Sequence, residues 1–212
     1  MDANYENNNN DSDPFRKTCL IPYPNVDDLP PTLRDKLNIL PFRRNILMTI
    51  SHSHGLAPHL LGLIGSCFDG TQRGLPTLDW QLIVLRTASV LKAKYEYDVN
   101  LPVAEVYGMP QAKIDSIACP TEAIQDKSQG PWTDRDKILL RLVDEQLATY
   151  TNEEKTIQES IEILGADMVV EVLIVIGIYA LLARLIKGLR IDDDHEIPDL
   201  KEKIQKAITA TK

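Results

Sequence analysis

The spacing of apolar residues predicts helices along almost the whole chain. Leu78, Leu82 and Leu85 recur at intervals of three to four residues, which places them on one face of a helix. A second helix is predicted to follow directly and to stop at Gly108. No segment alternates polar and apolar residues at a sustained interval of two, so no sheet is expected. The pattern therefore predicts an all-α protein with roughly ten helices.

Residues that begin and end helices divide the second half of the chain. Thr133, followed three residues later by Asp136, has the pattern of a capping box with Asp in place of the usual Glu. Asn152 is predicted to cap the next helix and Gly165 to end it. A terminal amphipathic helix is predicted over 198–210.

The longest apolar run covers 172–183 and is flanked by Glu171 and Arg184. This run is shorter than the roughly 18–20 residues needed to cross a bilayer, so it predicts a central core helix over about 167–188. Such a helix can be buried further by a partner subunit. The three aspartates at 192–194 are expected to form a solvated turn.

The N-terminal residues differ in composition from the rest. Residues 1–18 are rich in Asn and Asp and predict a disordered arm, followed by one helical domain over 19–212. The first residues have neither a basic region nor an apolar stretch of the kind found in signal peptides. We therefore expect a cytoplasmic protein.

Charge and cysteine content narrow the choice of partners. The formal net charge is −8 and the pI is about 5.0, so nucleic acid and anionic membranes are not expected as partners. Cys19, Cys67 and Cys119 are odd in number and widely spaced, which fits neither a disulfide framework nor a zinc site. These cysteines favour a reducing compartment.

The predicted helix pair at 76–107 carries motifs of a known family. It contains Trp80-Gln-Leu-Ile-Val-Leu-Arg86, then Ala93-Lys-Tyr-Glu-Tyr-Asp-Val-Asn-Leu-Pro-Val-Ala104, then Tyr107-Gly108. Their order and spacing resemble the carboxymuconolactone decarboxylase-like family, which typically reads E-L-V-I-L-R, then G-x-x-Y-E-W-x-x-H-x-P-x-A, then x-G. Similar segments at both ends extend the resemblance over about 20–192. It implies an all-α, alkylhydroperoxidase-D-like helical domain that forms a homo-oligomer, with a trimer, a hexamer or a dimer as the alternatives.

The redox branch of this family uses C-x-x-C followed by His, with a Glu one helix earlier. The corresponding positions in this chain are Ala93 and Glu96 for the cysteines, Asn100 for the His and Gln81 for the Glu. Thiol-based peroxide reduction needs a thiolate nucleophile and a resolving thiol. The resemblance therefore implies that this chain is not a thiol peroxidase of that kind.

The decarboxylase-like branch retains Glu96 and a His four residues later, on the same helix face. Because this chain has Asn100 and Gln81 in place of the titratable partners, Glu96 is the single carboxylate left at the family's site. If its pocket is apolar, its pKa is raised and it can act as a proton shuttle. Tyr97 or Tyr179 could add a phenolic hydrogen bond to a developing enolate.

Less specific interpretations remain for several of these residues. Glu96 could pair with Arg86 or Lys92 at a helix surface. Arg86 could anchor a substrate carboxylate, although a structural ion pair is favoured. His52, with His54 and His59 nearby, has poor spacing for a metal site, and no metal is predicted; His52 could instead reach the pocket.

Two classes of function follow. The first is an enzyme that needs no cofactor, a decarboxylase, isomerase or cyclase acting on a small organic acid or polyketide-like carbonyl compound, which the resemblance places in secondary metabolism. Its catalytic residues would be Glu96, Asn100 and Gln81, and its substrate-binding residues Tyr97, His52, Tyr179 and Arg86. The second is a non-catalytic oligomeric binding or accessory protein. A peroxidase that uses a lone thiol such as Cys67 is a weaker third hypothesis.

Overall fold

The computed structural model describes residues 13–37, 43–126 and 130–210. Within these ranges, helices are joined by turns and loops and no residue lies in a strand. A 3-10 helix at Val26–Asp28 precedes eleven α-helices in the described residues. Their bounds are α1 Pro31–Leu37, α2 Asn45–Ile50, α3 Ala57–Phe68, α4 Thr77–Val90, α5 Lys94–Val106, α6 Gln111–Ser116, α7 Thr121–Gln125, α8 Asp134–Thr149, α9 Glu154–Leu164, α10 Ala166–Leu189 and α11 Leu200–Ala210. The prediction of an all-α chain is confirmed for these residues.

The helix α4 lies at the centre of the fold and packs against α5, α8 and α10. Every residue from Trp80 to Ala88 is buried, including the polar Gln81 and Thr87 and the charged Arg86. A helix that is buried on all sides usually carries only apolar residues. The polar groups inside α4 therefore need a specific explanation.

The helices α4 and α5 form a hairpin whose turn is set by backbone geometry. Lys92 adopts a left-handed conformation with φ of 54°, and Ala93 closes the turn by donating its backbone N–H to the carbonyl of Ala88 at 2.8 Å. At the other end, Gly108 has φ of 83°, which a residue without Cβ adopts at little cost. The predicted end of this helix at Gly108 is confirmed.

The capping box at the start of α8 is confirmed: the Thr133 hydroxyl accepts from the Asp136 backbone N–H, and the Asp136 carboxylate accepts from the Thr133 N–H. The prediction for Asn152 is wrong. Glu153 is the N-cap of α9, and the Asn152 amide donates instead to the Leu142 carbonyl and the Glu145 carboxylate. Gly165 ends α9 as predicted.

The helix α10 has 24 residues and is long and apolar enough, by length and composition, to cross a membrane, so the prediction that this segment is too short to span a bilayer is wrong. In the most apolar 18-residue window of this helix, 56% is buried inside the fold. Its outward face exposes Val170, Ile174 and Leu181, which recur at helical spacing. The prediction of a central core helix is confirmed, and one apolar stripe on it lies outside the core.

The prediction of a solvated turn at 192–194 is wrong for two of its three aspartates. The buried Asp192 carboxylate accepts hydrogen bonds from the backbone and hydroxyl of Thr18, from the Cys19 N–H and from the Tyr23 hydroxyl. Asp194 accepts from the Arg44 guanidinium, the Asn45 N–H and the Tyr95 hydroxyl. Burial raises the pKa of Asp192, but these hydrogen bonds outweigh burial and leave it below its usual range.

These contacts also bear on the predicted N-terminal arm. Residues 1–12 of that arm lie outside the described residues. Residues 13–18 pack on the domain: Thr18 binds Asp192, and the Phe15 ring lies 4.3 Å from the guanidinium carbon of Arg43. Residues 13–18, which the prediction assigned to the arm, therefore belong to the packed fold.

Candidate active site

The three predicted catalytic residues lie in the interior, on the central hairpin. Gln81 on α4 is 0% exposed, and Glu96 and Asn100 on α5 are 2% and 4% exposed. Glu96 and Asn100 are one helical turn apart, and the Asn100 side-chain N–H donates to the Glu96 backbone carbonyl at 2.9 Å. This bond fixes the Asn100 amide and leaves its oxygen available as an acceptor.

Polar atoms in this region lack hydrogen-bond partners among the described residues. They are both carboxyl oxygens of Glu96, both amide atoms of Gln81, and the side-chain oxygens of Asn100 and Thr87. Nearly all buried polar groups in folded proteins are paired, and an unpaired one costs about 1–3 kcal/mol. Three of these atoms belong to Glu96 and Asn100, which lie one turn apart on the same helix.

Among the described residues, no cation lies close enough to Glu96 to lower its pKa. Burial alone raises the pKa of Glu96 from 4.5 to about 9, so the side chain is a neutral carboxylic acid at pH 7. The alternative of an ion pair with Arg86 or Lys92 is not realised; Arg86 binds Asp144 on α8 instead. A neutral acid in a buried site can donate a proton to a substrate.

The side chain of Tyr179 lies near that of Glu96, and the side chain of Tyr97 does not. Tyr179 on α10 is 3% exposed; burial raises its pKa well above the usual range, and the charges of Cys67 and Glu96 raise it further. Burial raises the pKa of the half-buried Tyr97, and nearby acidic residues, of which Asp115 has the largest effect, raise it further. Glu96 is not among the groups that shift the pKa of Tyr97. Successive residues point about 100° apart around a helix, so Tyr97 faces away from Glu96.

Two further predicted substrate-binding residues have structural roles. Arg86 uses its five N–H donors on Asp144, the carbonyls of Ile117 and Cys119, and the Thr121 hydroxyl. The substrate-anchor interpretation of Arg86 is therefore not supported, and its structural ion pair is. His52 is exposed, and its Nε2 atom lies 2.7 Å from the Pro22 carbonyl, so it holds the N-terminal segment.

Sequence reasoning missed a cluster beside this site. The Arg73 guanidinium lies 4.8 Å from the centre of the Trp80 ring, and the Phe68 ring meets Trp80 edge-on at 4.8 Å. Cys67 is adjacent in the chain to Phe68 and close enough to Tyr179 to raise its pKa. Nothing in the sequence indicated this cluster, because Arg73 lies in a Gly-rich loop that has no periodic pattern of apolar residues. Only the cation-binding preference of a Trp face could have suggested it.

The thiol of Cys67 is buried, and burial raises its pKa although the charge of Arg73 opposes this. A thiol with a raised pKa provides little thiolate, which is the reactive form. The lone-thiol peroxidase hypothesis therefore loses support. Among the described residues, no group of three His, Cys, Asp or Glu side chains is arranged to hold a metal ion.

Comparison with known proteins places the fold. No protein-family model matches the chain, and none of the curated proteins matches it. Among solved structures, it is similar to a crystal structure of the alkylhydroperoxidase AhpD core, an uncharacterized peroxidase-related protein from Ralstonia eutropha JMP134. The two share 15% sequence identity with a TM-score of 0.68, over 85% of this chain and 94% of that one. The chain therefore has the all-α fold of the alkylhydroperoxidase D core.

Proposed function

We propose that this chain is an enzyme that needs no cofactor and transfers a proton to a small organic acid or polyketide-like carbonyl compound. The observation that carries this proposal is the buried set of unpaired polar atoms on Gln81, Glu96 and Asn100. Glu96 is the acid, Asn100 and Gln81 orient the substrate, and Tyr179 is a hydrogen-bond donor near the reacting group.

The neutral state of Glu96 favours decarboxylation among the three candidate reactions. In that reaction the bond to the substrate carboxylate breaks, CO2 leaves, and the electron pair of the bond forms an enolate. The O–H bond of Glu96 then breaks and its proton goes to the enolate carbon, after which the carboxylate regains a proton from water. Isomerisation or cyclisation would start with proton removal. With a pKa of about 9 for Glu96, on the order of 1% of it is a carboxylate at pH 7.

The neighbouring groups supply what an enolate requires. The side-chain N–H groups of Gln81 are unpaired donors, and the Tyr179 hydroxyl stays protonated because its pKa is raised. Buried donors directed at a developing oxyanion contribute much of the catalysis in enzymes of this type. The free oxygen of Asn100 can accept a hydrogen bond from a substrate hydroxyl.

Comparing small molecules in the source organism tests this proposal. We expect deletion of the gene to make one compound accumulate, and Glu96→Gln to reproduce that block. Glu105→Gln is the matched control, since Glu105 lies on the same helix and its carboxylate pairs with Lys201 at 2.8 Å. The mass lost between the accumulated compound and the missing product names the reaction. Normal metabolism in the Glu96→Gln strain would contradict the proposal.

The alternative, a non-catalytic oligomeric binding or accessory protein, is favoured by one observation. The predicted site is closed, with Gln81, Glu96 and Asn100 each less than 5% exposed. Two surface cavities, of about 200 and 270 Å³, are lined by other residues. If deletion of the gene changes no metabolite, this alternative is the better account.

A homo-oligomer is part of both proposals. The outward stripe of Val170, Ile174 and Leu181 on α10 supports it, because exposed apolar side chains at helical spacing are typical of protein interfaces. Light scattering at micromolar concentration measures the mass of the particle, and a monomer would contradict the proposal.

A further inference from the structure

The loop between α3 and α4 carries a cation to the edge of the candidate site. Arg73 stacks over Trp80, whose side chain is only 1% exposed, and the Arg73 side chain itself is half-buried. Residues on either side of Arg73 in this loop are exposed. The guanidinium therefore lies between solvent and the interior, in contact with an aromatic ring of the core.

This cation has no carboxylate partner within ion-pair distance among the described residues. One Nη donates to the Leu75 carbonyl and the other to the Thr77 hydroxyl at 3.0 Å. The Nε atom is buried and has no hydrogen-bond partner in the described part of the chain. Of the five N–H donors of arginine, these contacts leave the Nε–H and one on each Nη. In a guanidinium group, the edge formed by Nε–H and one Nη–H is able to bind a carboxylate in a bidentate manner.

The charge of Arg73 reaches the site in which Glu96 lies. Burial and the charges of Cys67 and Glu96 raise the pKa of Tyr179, whereas the charge of Arg73 lowers it. Burial also raises the pKa of Cys67 and of Tyr107, and the charge of Arg73 opposes both increases. Arg73 and Glu96 therefore both lie within electrostatic range of Tyr179.

The loop that presents Arg73 is held in place by its backbone. The Glu171 carboxylate on α10 accepts from the N–H of Gly74 at 2.8 Å and from the N–H of Leu75 at 3.2 Å. A Cβ at position 74 would lie 2.9 Å from the Glu171 carboxyl oxygen, so a larger residue there would displace the end of the Glu171 side chain. The cation is thus fixed before any ligand binds, which reduces the entropy lost on binding.

We propose that Arg73 is the anchor for a carboxylate on the substrate, so that the site selects anionic carbonyl compounds over neutral ones. This inference rests on the proposed site and names its substrate class. The free side of the guanidinium binds the carboxylate, Trp80 packs beneath it, and the carbonyl end of the molecule extends past Tyr179 towards Glu96.

Binding of a matched set of probes tests this proposal without knowledge of the natural substrate. The probes are phenylpyruvate, its methyl ester and phenylacetone, which share a skeleton but differ in charge. The Trp132→Phe background leaves Trp80 as the single tryptophan of the chain, so quenching of its fluorescence reports binding beside Arg73. We expect phenylpyruvate to bind roughly 10–100-fold more tightly than the ester, as charge-assisted hydrogen bonds allow.

Arg73→Gln is expected to abolish that preference. Arg73→Lys keeps part of it, because an ammonium group supplies charge without a bidentate fork. Arg43→Gln is the control: Arg43 also stacks on aromatic rings, those of Phe15 and Tyr23, but pairs with Asp13. Thermal unfolding of each variant verifies that it is folded.

Three results would overturn the proposal: equal binding of acid and ester by the unchanged chain, binding of none of the probes, or a full preference retained in both Arg73 variants. The Glu96→Gln variant separates this inference from the proposed function. If it keeps the carboxylate preference while metabolism is normal, the anchor is right and the catalytic assignment is wrong. If it blocks metabolism while Arg73→Gln keeps the preference, the reverse holds.

Discussion

Replacing Glu96 by Gln is expected to stabilise the folded protein at neutral pH and at the same time to remove the proposed proton donor. Glutamine has nearly the size of a protonated glutamate but cannot ionise. In the folded chain burial raises the pKa of Glu96 to about 9, whereas the ordinary value of 4.5 applies to the unfolded chain. Between these two values the folded state holds a proton that the unfolded state has lost.

The size of the effect follows from proton linkage. Below the unfolded pKa both states are protonated and the Glu96 side chain carries no ionisation penalty. As the pH rises from 4.5 towards 9, each pH unit costs the folded wild type about 1.4 kcal/mol relative to the unfolded chain. At pH 7 the accumulated cost is about 3 kcal/mol. Because Gln avoids this cost, the variant gains stability in proportion to pH across this window.

Urea unfolding at several pH values between about 5 and 8 measures the difference, at fixed protein concentration because an oligomer's stability depends on it. The free-energy difference between Glu96→Gln and the wild type is expected to grow by about 1.4 kcal/mol per pH unit. Glu105→Gln provides the control and is expected to lack this slope, since Glu105 pairs with Lys201 near the surface. A flat difference for Glu96→Gln would refute the reasoning, because Glu96 would then ionise normally and could not be a neutral acid at pH 7.

Three other predictions concern the fold and its assembly. Asp192→Asn is expected to lower the free energy of unfolding by about 2–3 kcal/mol at neutral pH, with the exposed Asp193→Asn as a control near zero, and chemical denaturation measures both. Since the pKa of Asp192 is lowered in the fold, this advantage of the wild type is lost progressively as the pH falls from about 4 through the lower folded-state pKa, and a difference that does not shrink over this range would contradict the assignment. Arg86→Leu is expected to cost about 3–5 kcal/mol, because it leaves the carboxylate of Asp144 without its partner, and a cost below about 1 kcal/mol in the same assay would argue against a structural pair. Ile174→Lys is expected to reduce the particle mass in light scattering while changing the stability of the subunit by only about 0.5 kcal/mol, and an unchanged mass would place the interface elsewhere.

Local patterns determined the helices of this chain. The spacing of Leu78, Leu82 and Leu85 predicted α4. Neighbouring residues also predicted the capping box at Thr133, which begins α8, and the end of α9 at Gly165. Such features depend on contacts within one helical turn, so the sequence contains all the required information. The resemblance in the α4–α5 hairpin also predicted a common site for Gln81, Glu96 and Asn100.

Contacts between residues far apart in the chain were decided by the tertiary structure. The sequence around Asp192 predicts a solvated residue, because its partners Thr18 and Tyr23 lie about 170 positions earlier in the chain. The position of Asn152 predicts a helix cap, but in the fold its side-chain oxygen accepts from the Gln146 amide and its side-chain N–H donates to the Glu145 carboxylate.

The candidate site divides in the same way. The sequence identified Glu96 as the remaining carboxylate, yet the pKa of that group depends on burial by helices distant in sequence. Tyr179 and Arg73 lie 106 positions apart, and only the packing of α10 against the loop before α4 brings their charges within range of each other. Sequence therefore determined which residues have the chemistry, and tertiary structure decided which of them meet, because desolvation and electrostatic coupling depend on distance in space.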